Sequence, residues 1–155
     1  MSSTKLLSET FLINQRINLY LLESIAEKDL TDVPASKGRN VGEQFAHIHN
    51  VRLMWLKAAA PELFIGVEKV EKEQALNKKT LNKALEVSAK AMSELLNIGE
   101  ATGKIKGFKP HANAFLGYLI SHEAHHRGQI LLSLKQNNHM VDKKIQFGIW
   151  EWGVR

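Results

Sequence analysis

The stretch Ile120-Ser-His-Glu-Ala-His-His-Arg-Gly-Gln-Ile130 decides how the chain reads. It places three of the chain's seven histidines within five positions, inside a long segment of apolar periodicity. Residues four apart on a helix stack on one face, so His122 and His126 point the same way. Two imidazoles at that spacing are a ready pair of ligands for a borderline divalent metal. The helix that carries them is expected to start after Lys109-Pro110 and to run to about Gln136, with Asn137-Asn138 as its stop. At ~100° per residue, Phe115, Tyr118, His126, Gln129 and Ser133 fall within ~40° of His122. Leu116, Ile120, Ala124, Leu131 and Leu134 form a second apolar line on the other side. A helix apolar on two sides needs two partners: its own bundle and, for the second, another copy of the chain, so a homodimer through this helix is expected.

Upstream, helical spacing predicts three more long helices. The first spans about Glu9 to Lys28, with Phe11, Ile17, Leu21, Leu22 and Ile25 inward, Asn14 and Asn18 on the same side, and Ser8 as its cap. A loop over Asp32–Asn40 follows from its Pro, Gly and polar content. The second helix begins at Val41, capped by Asn40 with Glu43 completing a capping box, and stops before Pro61. His47, Val51, Met54 and Ala58 make a narrow stripe assigned to the core, and His49 lies nearly opposite His47, at ~200°. A long connection, Pro61 to Lys79, leads to a third helix capped by Thr80. Its buried side is Leu81, Leu85, Ser88, Met92 and Leu95, and Gly99 or Gly103 ends it. The chain closes on Ile145-Gln-Phe-Gly-Ile-Trp-Glu-Trp-Gly153, an aromatic tail that either lines the mouth of a pocket or docks on the bundle by burial. The fold class is therefore all-α: an antiparallel four-helix bundle with a long connection between helices 2 and 3 and an aromatic C-terminal tail.

Composition narrows the chemistry. At 155 residues the chain is read as one domain, residues 1–155. It has no cysteine, which excludes a disulfide framework, a Cys-based metal site and a Cys nucleophile; thiol chemistry would need a thiol brought by a substrate. The N-terminal Met1–Thr10 stretch lacks the apolar region of a signal peptide, and no apolar run is long enough to span a bilayer, so a cytoplasmic location is expected. The formal net charge is +5, but Lys69, Lys72, Lys78, Lys79, Lys83, Lys104, Lys106 and Lys109 are spread thinly with no interleaved aromatics. That pattern is a solvated basic surface rather than a nucleic-acid interface.

A lone core histidine is usually a buried polar residue with a hydrogen-bond partner. Here His47, His122 and His126 are all expected to face inward, and a divalent cation supplies one partner for all three. Three protein ligands leave open positions for water or substrate, as catalytic centres do. His125 lies ~60° from His122, so a pair of His122 with His125 stays open as an alternative. Glu123 is off the metal face and is assigned to a surface pair with Arg127. His111 and His139 are assigned to the surface. Gln129 and Tyr118 either bond within the bundle or orient a metal-bound water or substrate.

Val41-Gly-Glu-Gln-Phe-Ala-His47-Ile on the second helix, followed by Ile120-Ser-His122-Glu-Ala-His-His126-Arg-Gly-Gln129-Ile on the fourth, resembles the DinB-like (DinB/YfiT) family across essentially the whole chain. The resemblance implies a four-helix bundle, often dimeric, with a divalent metal, typically nickel or zinc, on three histidines that fall here on His47, His122 and His126. It also implies a range of activities. Some members are S-transferases or isomerases that use a low-molecular-weight thiol such as bacillithiol or mycothiol, others are described as metal-dependent hydrolases, and many have no assigned reaction. A metal-dependent enzyme of stress response or detoxification, acting through a thiol or water, is the first expectation; a non-catalytic metal-binding interaction protein is the alternative.

Overall fold

The computed structural model describes residues 4–155; Met1–Ser3, the start of the stretch read for a leader, lie outside the described residues. Four long helices carry the fold: α1 Leu6–Ser24, α2 Val41–Ala59, α4 Lys78–Thr102 and α5 Ala112–Gln136, with short α3 Pro61–Phe64 and α6 Lys143–Gly148. Among the described residues there is no strand, and no helix is long and apolar enough to cross a membrane.

Local chemistry sets the helix ends. The capping box at α2 forms as the sequence predicts: Asn40 Oδ1 accepts from the Glu43 amide at 2.8 Å, and Glu43 Oε1 accepts from the Asn40 amide at 3.3 Å. α4 is capped by Asn77, which accepts from the Thr80 amide at 3.0 Å, so the helix begins at Lys78, ahead of the expected Thr80 cap. It ends on Gly103 in the left-handed conformation, φ 77°. α1 starts earlier than expected, because Lys5 rather than Ser8 occupies the cap position, and a 3-10 turn over Glu27–Thr31 replaces its last residues. His111 is not an idle surface residue: its Nδ1 accepts from the Ala114 amide and caps α5.

Two apolar clusters fill the bundle. One joins the C-terminal part of α1 (Ile17, Leu21), the start of α2 (Val41, Phe45), the start of α4 (Leu81, Leu85) and the end of α5 (Ile130, Leu134). The other joins Leu7 and Phe11, Leu56, Met92 and Leu95, and Phe115 and Leu119 at the opposite ends of the same helices. α1 is thus antiparallel to α4 and α2 to α5, while α2 and α4 run parallel. The chain must return the length of the bundle between them, which is why residues 60–77 form so long a connection. Gly42 lets that connection close against α2, since a Cβ there would overlap the Ala75 carbonyl.

Between the clusters lies a polar layer that includes Glu123 and Arg127, which the sequence reading places on the surface, and Asn14, Asn18 and Ser88, which it places inward. Arg52 and Glu123 are 0% and 1% exposed and share a two-pronged ion pair, Nη2–Oε1 2.6 Å and Nε–Oε2 2.8 Å. Glu123 also accepts from Asn14 and Asn18, whose amide oxygens in turn take Arg127 at 2.7 and 2.6 Å. Arg52 further donates to Gln15, to Ser88 and to the Leu85 carbonyl. Glu123 and Arg127 therefore face the core and do not form a surface pair; each finds its partners on other helices. Burial alone would raise the Glu123 carboxyl, but the Arg52 charge and the hydrogen bonds hold it below the ordinary value.

Two face assignments change as a result. On α2 the core side is Phe45, Ile48, Arg52 and Leu56, and Met54 and Ala58 are exposed, so the stripe assigned to the core runs along its margin. On α5 Leu116 and Leu134 belong to the same wide buried face as Phe115 and Ser133, so the helix has one core face and not two opposed ones. The tail docks through Ile145, Ile149 and Trp152 on the α1–α5 cluster and leaves Phe147 and Trp150 exposed.

Candidate metal centre

α2 and α5 bring His47, His122 and His126 together on the margin of the bundle. Their candidate ligand nitrogens all lie within 4.8 Å of one another. Ring centroids are 4.6 Å apart for His47–His126 and His122–His126, and 5.3 Å for His47–His122. The Nε2 atoms of His122 and His126 are 3.2 Å apart. With Zn–N bonds of ~2.0–2.1 Å, two ligands of a tetrahedral ion sit ~3.3 Å apart, so the spacing fits a shared cation.

One residue that sequence reasoning passed over fixes this geometry. Gln44, buried on α2 one turn before His47, accepts from His126 Nδ1 at 2.6 Å. An amide oxygen only accepts, so Nδ1 carries the proton and Nε2 is left bare toward its neighbours. Such a partner orients an imidazole ligand and raises its basicity. Its sequence signal was its place three residues before His47, on the same helix face.

The three rings are held neutral. Burial, with Arg39 and His122 nearby, pushes His47 down to about 4. Burial together with His122, His47, His125 and Arg39 pushes His126 down to about 3. Burial also lowers His122, against the opposing charge of Glu123. Neutral imidazoles at neutral pH are the form that binds a metal.

The long connection forms the outer wall. His49, expected to point away from the core, is buried at 1% exposure, and its Nε2 donates to the Glu68 carbonyl at 2.7 Å. Asn50 pairs both ways with the Val70 backbone at 3.0 Å. These bonds pin residues 68–70 beside His47 and border an open surface pocket of about 490 Å³ lined by Arg39, Glu43, His47, Asn50, Lys69 and Lys72, among others; His47 is the triad member in its lining.

The remaining site candidates separate. Tyr118 stacks on His122 (6.4 Å, 18° between planes) at the edge of an aromatic group with Trp55, Phe108 and Phe115. Gln129 instead pairs with His125, 3.1 Å away, and His125 is exposed with its ring 5.0 Å from His126. Trp150 lines a different, apolar groove with Leu132, Met140 and Phe147. His139, assigned to the surface, is half-buried against Asp32 (2.7 Å) and Asp29 (3.3 Å), a group that could also hold an ion but is closed by its own bonds.

An all-helical bundle with three converging imidazoles defines a class of metal-competent helical proteins. The chain belongs to the DinB family, whose model matches residues 1–141 and so takes in all four long helices and the three histidines. No curated protein and no solved structure matches it.

Proposed function

We propose that the protein is a metal-dependent enzyme in which His47, His122 and His126 hold a divalent ion, nickel or zinc, and leave open positions for a small ligand. The observation that carries this reading is the approach of the His122 and His126 Nε2 atoms with His126 oriented by Gln44. When bound, the metal supplies Lewis acidity that makes a thiol or water nucleophilic near neutral pH. The chain's residues do the rest. Gln44 fixes the His126 tautomer, Tyr118 stacks on the His122 ring, and the pinned connection forms one wall of the pocket beside His47. The substrates are a low-molecular-weight thiol (S-transferase) or water (hydrolase) acting on an electrophile, in cytoplasmic stress response or detoxification. Metal analysis tests the site: His47→Ala and His126→Ala each lose the ion, and retention by both variants refutes the ligand set. Thiol consumption against a panel of electrophiles, with metal-loaded and metal-stripped protein, tests the reaction.

A second reading, a metal-binding interaction protein without catalysis, is favoured by the exposed groove at Leu132, Met140, Phe147 and Trp150, which are 50–76% exposed. Its partner of first choice is a second copy through the outer face of α5, where Gly117, Ser121, Ala124 and Gly128 present little bulk. Light scattering on the wild type and on Leu132→Lys separates dimer from monomer.

A further inference from the structure

The cavity beside His47 is rimmed by charges, and all but two have an opposite charge beside them. Lys69 faces Glu71 and Lys72 faces Glu43, each at 3.9 Å. Glu73 and Arg39 also line the cavity; among the described residues Arg39 makes neither an ion pair nor a side-chain hydrogen bond. It precedes the cap of α2, so the capping box fixes the backbone beside it. It shares the lining of this pocket with His47, the triad member that faces into it. A guanidinium there opposes a dication on the triad, and an anion entering between the two relieves the repulsion. The planar fork of Arg suits a carboxylate or phosphate, which it can bind through two parallel hydrogen bonds.

We infer that Arg39 anchors an anionic group of the substrate that enters the His47 cavity, so that the small molecule directed to the histidine centre carries a carboxylate or phosphate. The inference rests on the reading of that centre as a substrate-binding metal site, and it adds a specificity-determining residue to it. Neutral substrates of the same size reach the centre but lose the anchor.

Calorimetric titration of the zinc-loaded protein tests this with three probes: 3-mercaptopropionate, 3-mercapto-1-propanol and the thiol-free glutarate. The wild type binds the carboxylate thiol more tightly than the alcohol by about fivefold, the worth of one exposed ion pair, and the gap narrows at high salt. Arg39→Gln abolishes the gap and Arg39→Lys keeps part of it, with zinc content and helicity unchanged in both. Equal binding of the two thiols by the wild type, or a carboxylate preference that survives Arg39→Gln, overturns the inference and leaves thiol activation standing. Binding of glutarate alone, lost in Arg39→Gln, keeps the anchor and overturns thiol activation. No binding of any probe overturns both.

Discussion

Replacing Glu123 by Gln removes one negative charge from the middle of the bundle with almost no change of shape. Glu123 is 1% exposed and its two oxygens accept four hydrogen bonds, two from Arg52 and one each from Asn14 and Asn18. The amide would turn an NH₂ toward donors, and the fully buried Arg52 guanidinium would lose its counter-charge. Breaking a buried pair from one side costs about 3–5 kcal/mol, a large share of the ~5–15 kcal/mol that holds a domain folded. At about 2–4 °C per kcal/mol for a chain of this size, the melting temperature falls by about 6–20 °C. Urea unfolding of metal-free protein measures the loss without interference from bound ion. The double variant Arg52→Met/Glu123→Leu recovers part of it, because Arg52 no longer strands a charge, while the buried Arg127 still loses the carboxylate beside it. pH supplies an independent check. A carboxyl held below its ordinary value stabilises fully above pH ~4.5, and that stability is lost as pH falls through the folded value. Glu123→Gln removes this part of the acid limb. A loss under ~1 kcal/mol in Glu123→Gln, or a double variant as unstable as the sum of its parts, would refute the account of the polar layer.

Other outcomes follow from the same geometry. Gln44→Leu leaves the fold intact but weakens zinc binding by about 10–100-fold in a chelator competition, because His126 loses its orienting acceptor. The metal-free protein loses stability as pH falls from ~6.5 toward 4, since the unfolded histidines take up protons that His126, at about 3, and His47, at about 4, refuse when folded; His126→Ala makes this slope shallower in thermal melts. His139→Ala loosens the clasp on Asp29 and Asp32 and costs ~1 kcal/mol in urea unfolding.

How much was legible depended on whether a residue's partner lay on its own helix. The α4 face from Leu81 to Leu95, the α2 capping box and the limits of α5 are local patterns, and all are readable in one segment. Arg52 was hidden because a helix read alone assigns a charged residue to solvent, and with it went the assignment of the α2 core face. The signal was present: Arg52 sits in the row Phe45, Ile48, Arg52, Leu56, and Asn14 and Asn18 share the apolar side of α1. Only the packing of the helices turns those misplaced polar groups into one layer. His49 was misplaced for a similar reason, since its acceptor is the carbonyl of Glu68, on a connection whose path no periodicity describes. The convergence of the three histidines was legible in their helix faces, and so was the place of Gln44 one turn before His47, but its bond to His126 crosses to another helix and no single segment shows it.

The apolar clusters and the bonds of the polar layer are built without the three histidines, which lie to one side of them. His47 and His122 are nonetheless 75 positions apart in the chain. An ion between them would staple the early half of the polypeptide to the late half after the bundle had assembled. Metal loading would then be a separate event from folding, open to exchange, and the supply of metals would decide which ion the protein carries.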